Sequence, residues 1–259
     1  MPFCSVISSQ TPVDVPIEVI AHRGYSAVAP ENTLASVRAA LEAGAHSVEW
    51  DVQVASCGTP VLMHDPHLGR TTNGVGPVRR RTLEQLQALD AGKWFNASFS
   101  GEKIPSLAEA LELVAAAGVT VYCEVKGYRE LEDLDRMARI VREKGMTDRT
   151  IFISMDYGVI DRIRGQDPEV GLGYIVEKAE RFDDALGRAQ TAGPRALIDF
   201  DHRLLKADPE LVARCRAADV PIAVWTVDGK ADAEAMVAMG VTRLTTNQVA
   251  HMKAWADTQ

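Results

Sequence analysis

Nine short apolar runs rich in β-branched residues punctuate the chain: Glu18 to Ala21, Ser47 to Val54, Pro60 to Met63, Thr120 to Val125, Thr150 to Ser154, Gly171 to Val176, Ala196 to Phe200, Ile222 to Val227 and Thr242 to Thr245. Longer stretches of helical period separate most of them. This alternation predicts repeated βα units around a parallel sheet. Nine runs are one too many for a closed eight-stranded barrel. Between the second and third runs, Ala55 to Thr59 is far shorter than the roughly dozen residues a parallel crossover needs, so these two predict an antiparallel hairpin. The hairpin would return His64 to the side of Asp51.

Start and stop signals place the helices. Asn32 or Thr33 caps a helix through Leu34, Val37 and Leu41 that stops at Gly44. Ser106 with Glu109 makes a capping-box pattern ahead of Leu111 to Ala117, which Gly118 ends. Further helices are predicted over Leu131 to Lys144, Tyr157 to Gly165, Arg181 to Ala192, Pro209 to Ala218 and Lys230 to Met239. Asp65 to Ile104 breaks the rhythm as a long irregular excursion with one helical patch, Leu83 to Leu89, and connections of that length commonly serve as lids or binding loops. No Pro/Gly/Ser-rich linker divides the chain. The expectation is a single α/β domain over residues 1–259, a TIM-type (β/α)8 barrel with an insertion at about 65–104 after the third strand segment.

Composition supports a folded domain and narrows its partners. Of 259 residues, 46% are hydrophobic and 25% charged, which excludes disordered, collagen-like and coiled-coil classes. Twenty-eight Lys and Arg against 36 Asp and Glu leave a formal net charge of −8, unfavourable for nucleic acid or an anionic bilayer. Cys4, Cys57, Cys123 and Cys215 are widely spaced without a C-x-x-C pair, so neither a zinc knuckle nor a disulfide framework is expected. The first residues lack a basic segment followed by an apolar one, and no 18-residue apolar run follows. A cytoplasmic protein without stable membrane association is expected.

In a parallel barrel the reactive groups sit at the C-terminal strand ends, and several ends here are polar. The first gives His22, Arg23, Glu31 and Asn32; the second Glu49 and Asp51; the third His64 and Asp65; the fourth Glu124 and Lys126; a later one Trp225 and Asp228. Glu49 and Asp51, two apart in a strand, share a face, the barrel interior if Val48, Trp50 and Val52 face the helices. Glu124 and Lys126 repeat the spacing. Three converging carboxylates repel one another in a low dielectric. A divalent cation would relieve this, and oxygen-only ligands favour Mg²⁺ or Ca²⁺ over Zn²⁺; buried ion pairs with Arg23 and Lys126 are the alternative. His22 and His64 suit a general acid/base pair, against the blander role of satisfied core residues. Arg23 and Lys126 suit phosphate oxygens or, equally, charge compensation.

These residues carry a resemblance. HRG at 22–24, PENT at 30–33, VEWDVQV at 48–54, PVLMHDP at 60–66, RTTNG at 70–74, GEKIPSL at 101–107, CEVKG at 123–127 and VWTVD at 224–228 follow in order over nearly the whole chain. The sequence resembles the glycerophosphodiester phosphodiesterase family. The resemblance implies a metal-dependent TIM barrel that hydrolyses glycerophosphodiesters, small-molecule substrates, to sn-glycerol 3-phosphate and an alcohol. It carries metal binding to Glu49, Asp51 and Glu124, catalysis to His22 and His64 as base and acid, and phosphate contact to Arg23 and Lys126. The chain departs from the family's frequent Thr-Asp-x-Pro ending at Thr246, Asn247, Gln248 and Val249, and has Cys123 where an apolar residue is common.

Trp225 at its strand end, with Trp94, Phe95 and Phe99 from the excursion, could wall the substrate site; the excursion aromatics could equally staple that segment to the barrel. His46, His67, His202 and His251 are read as structural or solvated, Arg79 to Arg81 as a solvated loop face, and Asp156 as a support to the site. Two other functions fit the barrel: a lysophospholipase D-type phosphodiesterase, disfavoured by the lack of a basic amphipathic segment, and a non-catalytic module binding a phosphorylated ligand.

Overall fold

A computed structural model describes residues 16–259; Cys4 and the rest of the first segment lie outside the described residues. Nine strands are present among them: β1 (Glu18–Ala21), β2 (Ser47–Val54), β3 (Pro60–Leu62), β4 (Thr120–Val125), β5 (Thr150–Ser154), β6 (Gly171–Val176), β7 (Ala196–Asp201), β8 (Ile222–Trp225) and β9 (Arg243–Thr246). All but β3 pair in parallel in the order β1, β2, β4 to β9, and β9 returns to β1 with Glu18 opposite Arg243 and Ala21 opposite Thr246, so an eight-stranded barrel closes. β3 lies antiparallel to β2, Val52 facing Leu62 and Val54 facing Pro60. The Met63 amide donates to the Asp51 carbonyl over 2.9 Å, and the next residue, His64, reaches the barrel mouth.

The helices are α1 (Leu34–Glu42), α2 (Leu83–Gln87), α3 (Leu107–Ala117), α4 (Leu131–Glu143), α5 (Tyr157–Gln166), α6 (Phe182–Ala192), α7 (His202–Ala207), α8 (Glu210–Ala217), α9 (Lys230–Ala238) and α10 (Val249–Ala256). Ser106 opens α3 with the predicted capping box, and Thr33, one of the two predicted caps, opens α1 with a box closed by Ser36. Neither α7 nor α10 is predicted. α7 follows directly on a strand and is opened by Asp201, whose side chain accepts from the Arg203 amide at 2.9 Å. α10 has no side-chain cap; it is held by burial of Val249, Met252 and Trp255.

Strand alternation separates two layers. Val48, Trp50, Val52 and Cys123 join the apolar layer between barrel and helices, so the thiol packs as a small hydrophobe. Inside, Ile20, Tyr122, Ile153, Ile175, Leu197 and Ala223 fill the barrel waist. At the N-terminal end the Tyr122 hydroxyl donates to Glu18 over 3.2 Å, and Arg243 pairs with Glu18 at 3.2 Å. The opposite end is left polar.

The excursion is more ordered than its irregular pattern predicts. Ala55, Val61, Met63, Leu68, Val78, Leu86, Ala91 and Ile104 form a second apolar cluster, each larger side chain contributing about 1.5–3 kcal/mol on burial. Asp90 ties its far end, accepting from the amides of Gly92, Lys93 and Gly101 at 2.9, 2.8 and 2.8 Å. Gly92 must lack a side chain there, because a Cβ would meet the Phe99 carbonyl oxygen at 2.0 Å. Trp94, Phe95 and Phe99 stack edge to face with centroids 5.8 Å apart.

Candidate active site

At the C-terminal barrel mouth, Glu49, Asp51 and Glu124 each offer an oxygen, all within 4.8 Å of one another. They converge because Glu49 and Asp51 alternate inward on β2 and Asp51 stands opposite Glu124 on β4. Burial raises the Glu49 carboxyl well above the usual range, and repulsion from Asp51 and then Glu124 adds to it. Burial would raise Asp51 too, but Arg23 and then Lys126 outweigh it and hold that carboxyl low. Glu124 is pushed up to about 7 by burial and then by Asp51, against the pull of Lys126. Lys126 Nζ lies 2.7 Å from Glu124 and 3.4 Å from Asp51, and Arg23 Nε lies 3.3 Å from Asp51. Two cations therefore do not satisfy three carboxylates: Glu49 Oε1 is buried with no hydrogen-bond partner.

Backbone strain aims these groups. Arg23 and Asn32 hold left-handed φ values of 56° and 57°, sparsely populated for non-glycine residues. The Arg23 amide donates to Glu49 Oε2 at 2.9 Å, and the Asn32 amide donates to the Arg23 carbonyl at 3.1 Å. Asn32 also clasps Asp51, its Nδ2 donating to Oδ2 at 2.8 Å while its Oδ1 accepts from the Asp51 amide at 3.0 Å. Gly24 completes the turn, since a Cβ there would meet the Ser36 backbone at 2.6 Å.

Both histidines flank the cluster. His22 Nδ1 lies 2.8 Å from Asn247 Oδ1 and its Nε2 lies 4.0 Å from Glu49. Burial, helped by Arg23, holds the His22 imidazole below its ordinary value. Asn247 is itself fixed: its amide and Nδ2 donate to Asp228 at 2.7 and 2.8 Å. At this position Asn247 thus offers His22 a neutral acceptor. His64 Nδ1 lies 2.6 Å from Asp65 Oδ1, and the Gln53 side chain donates to the His64 carbonyl at 3.1 Å. Behind Asp65 stands Arg70, donating through Nε at 2.7 Å and gripping Glu31 with two bonds of 2.8 Å, while Glu31 accepts from Arg23 at 2.9 Å. Charge-assisted bonds thus join His64 to Arg23, which pairs electrostatically with Asp51 at 3.3 Å.

A cavity of about 180 Å³ lies between these groups and a second wall made by Ile153, Met155, Ile175, Asp199, Trp225, Thr226 and Thr245. His22, Arg23, Glu49, His64, Glu124, Lys126 and Trp225 all line it, and Asp51 lies behind the carboxylates, 1% exposed. Trp94, Phe95 and Phe99 are not among the lining residues. Asp156 caps α5 by accepting from the Gly158 amide at 3.0 Å, so it supports a helix rather than the site. His46 Nδ1 accepts from the Val19 amide at 2.9 Å, a structural role as expected. His202 Nδ1 lies 3.2 Å from the Trp225 carbonyl. Arg79 to Arg81 are exposed. Sequence reasoning passed over Asp199 and Arg70. Alternation of Leu197 and Asp199 against Ile198 and Phe200 was the signal that Asp199 points inward; Arg70 sits in a loop and was marked only by its place in the RTTNG string.

Cations able to meet a phosphate, beside imidazoles able to move protons, place this chain among the barrel phosphoesterases. Similarity narrows the class. The glycerophosphoryl diester phosphodiesterase family matches over residues 22–251. A glycerophosphodiester phosphodiesterase of Caldanaerobacter subterraneus subsp. tengcongensis is 35% identical over 235 residues, 88% of this chain and 93% of that protein. One from Bacillus subtilis is 30% identical over 254 residues, 89% of this chain and 83% of that protein. Among solved structures, an Oleispira antarctica phosphodiesterase in complex with the product sn-glycerol 3-phosphate superposes with a TM-score of 0.83 at 27% identity, covering 94% of this chain and 98% of that one. The chain belongs to the glycerophosphoryl diester phosphodiesterase family and is a phosphoric diester hydrolase. Among the described residues, no helix is long and apolar enough to cross a membrane.

Proposed function

We propose that this enzyme hydrolyses small glycerophosphodiesters to sn-glycerol 3-phosphate and an alcohol, with a divalent cation held by Glu49, Asp51 and Glu124. The observation that carries the reading is the unbalanced carboxylate cluster between two anchored histidines. The all-oxygen donor set, with Glu49 Oε1 lacking a partner, fits a hard cation such as Mg²⁺ or Ca²⁺. Bound there, the cation would neutralise charge on a phosphoryl oxygen.

The side chains supply the remaining chemistry. Arg23 and Lys126 orient the phosphate from the cavity rim. His22, neutral because burial disfavours its cation, donates through Nδ1 to Asn247 and keeps Nε2 free to take the nucleophile's proton. As the bond from phosphorus to the alcohol oxygen breaks, His64 gives a proton to that oxygen, its ring held from behind by Asp65. The attacking group is water, or the glycerol 2-hydroxyl through a cyclic phosphate. Trp225 walls the substrate. The acidic balance and widely spaced cysteines support a cytoplasmic enzyme with a soluble substrate, without nucleic-acid or stable membrane partners.

A coupled assay for sn-glycerol 3-phosphate released from glycerophosphocholine tests this reading. Turnover that EDTA abolishes and added Mg²⁺ or Ca²⁺ restores is the expected result. No metal-dependent release from any glycerophosphodiester would contradict it.

A further inference from the structure

The cavity has two chemically different walls. One carries the carboxylates, Arg23, Lys126 and the histidines; the other, built by β5 to β9, is apolar except for a few groups. Asp199 is the exception of consequence. It sits on β7 between Ile175 of β6 and Ala223 of β8, is 3% exposed, and its Oδ1 is fully buried without a hydrogen-bond partner. Trp225, whose Nε1 is likewise buried and unpartnered, lines the same wall. Native proteins seldom leave such groups unpaired, because each forfeits its solvation without compensation. An unpaired carboxyl facing a cavity is a place for a ligand's donor.

We infer that Asp199 is a specificity-determining residue that accepts a hydrogen bond from the terminal hydroxyl of the glycerol unit, selecting a free polyol phosphate over one that lacks or masks that hydroxyl. This inference rests on the reading under Proposed function. With the phosphate drawn to the Arg23 and Lys126 wall, a three-carbon ligand extends its hydroxyls towards the opposite wall. A cavity of about 180 Å³ suits a glycerol phosphate and leaves the alcohol portion outside. A carboxyl oxygen accepts a hydroxyl's hydrogen in either protonation state. Neither Arg23 nor Lys126 hydrogen-bonds or ion-pairs with it, so its oxygens are left for a hydroxyl. A fatty-acyl ester at that oxygen has no donor to offer and leaves Asp199 buried and unpaired, a stronger discriminator than a missing apolar contact.

Calorimetric titration of the Ca²⁺-loaded enzyme with sn-glycerol 3-phosphate and with propane-1,2-diol 1-phosphate, which lacks the terminal hydroxyl, tests this directly. Wild type is expected to favour sn-glycerol 3-phosphate by about 10- to 100-fold. Asp199→Leu, which removes a buried unpaired polar group and so leaves folding intact, is expected to bind both ligands alike, at the affinity wild type has for the deoxy ligand. Asp199→Asn, nearly isosteric and still an acceptor, is expected to restore most of the preference. Undiminished preference in Asp199→Leu would overturn the inference alone. Equal weakening of both ligands would also overturn it, since Asp199 would then act only on Lys126 and the phosphate. Failure of wild type to bind either ligand would overturn the proposed function and this inference together.

Discussion

Asn247 Oδ1 lies 2.8 Å from Nδ1 of His22, while Asn247 Nδ2 donates to Asp228 at 2.8 Å. The second bond fixes the first: with its nitrogen on a carboxylate, the amide must turn its oxygen to the imidazole, which places the His22 proton on Nδ1. Asn247→Leu should lower kcat on glycerophosphocholine on the order of 10- to 100-fold, part of what a positioned acid–base group contributes, with KM nearly unchanged. Asn247→Asp keeps the acceptor but loses the donor and sets a second carboxylate against Asp228, so it should recover only part of the loss. Equal activity of Asn247→Leu and wild type would show that His22 is oriented by something else.

Metal affinity should depend on pH in a defined direction. Without metal, burial and carboxylate repulsion raise the Glu49 carboxyl and bring Glu124 up to about 7. A cation requires both as carboxylates, so protons compete with it increasingly as pH falls below about 7. Affinity for Ca²⁺ should therefore be weaker at pH 6 than at pH 8, roughly tenfold per pH unit for each proton displaced. Calorimetry in buffers of different ionisation enthalpy would register proton release on binding. Affinity that is flat between pH 6 and 8 would contradict this electrostatic picture.

Arg70 touches neither the carboxylate cluster nor the cavity, yet it joins Asp65 to Glu31. The Arg70 hydrogen bond, then His64 behind it, holds the Asp65 carboxyl far below the usual range against its partial burial. Arg70→Ala frees Asp65 to turn from His64. An approximately tenfold loss of kcat is expected, with Ca²⁺ affinity within about threefold of wild type. Unchanged kcat would mean that Asp65 holds the imidazole unaided.

The segment between β3 and α3 should unfold with the barrel. Leu86 is fully buried in that segment's own apolar cluster, and Leu86→Ala should cost about 2–5 kcal/mol through lost transfer energy and a cavity, read from urea denaturation. A change below about 0.5 kcal/mol would mark the segment as a loose lid.

The architecture was legible where the chemistry is local. Period and strand length gave the barrel, and the five residues Ala55 to Thr59 were enough to separate the hairpin from the crossovers. Glu49, Asp51 and Glu124 were legible because a two-residue period fixes which side chains share a face. What escaped depends on contacts distant in sequence. α10 is stabilised by burying Trp255 and Met252, without a cap to announce it. The cluster under the excursion draws on Val61 and Ile104, far apart in the chain. Asp199 shares a face with Leu197 by the same two-residue period, and pairing with Ile175 and Ala223 sets that face inside the barrel.

The central claim is that the carboxylate cluster holds the cation and the histidines move protons, as two separable functions. Parallel measurement of Ca²⁺ binding by calorimetry and glycerophosphocholine turnover on wild type, Glu49→Gln, His22→Ala and His64→Ala separates them. Glu49→Gln should lose both metal binding and turnover, whereas each histidine variant should keep Ca²⁺ affinity within about threefold and lose at least about 100-fold in kcat. Wild-type Ca²⁺ affinity in Glu49→Gln, or near-normal turnover in either histidine variant, would contradict it.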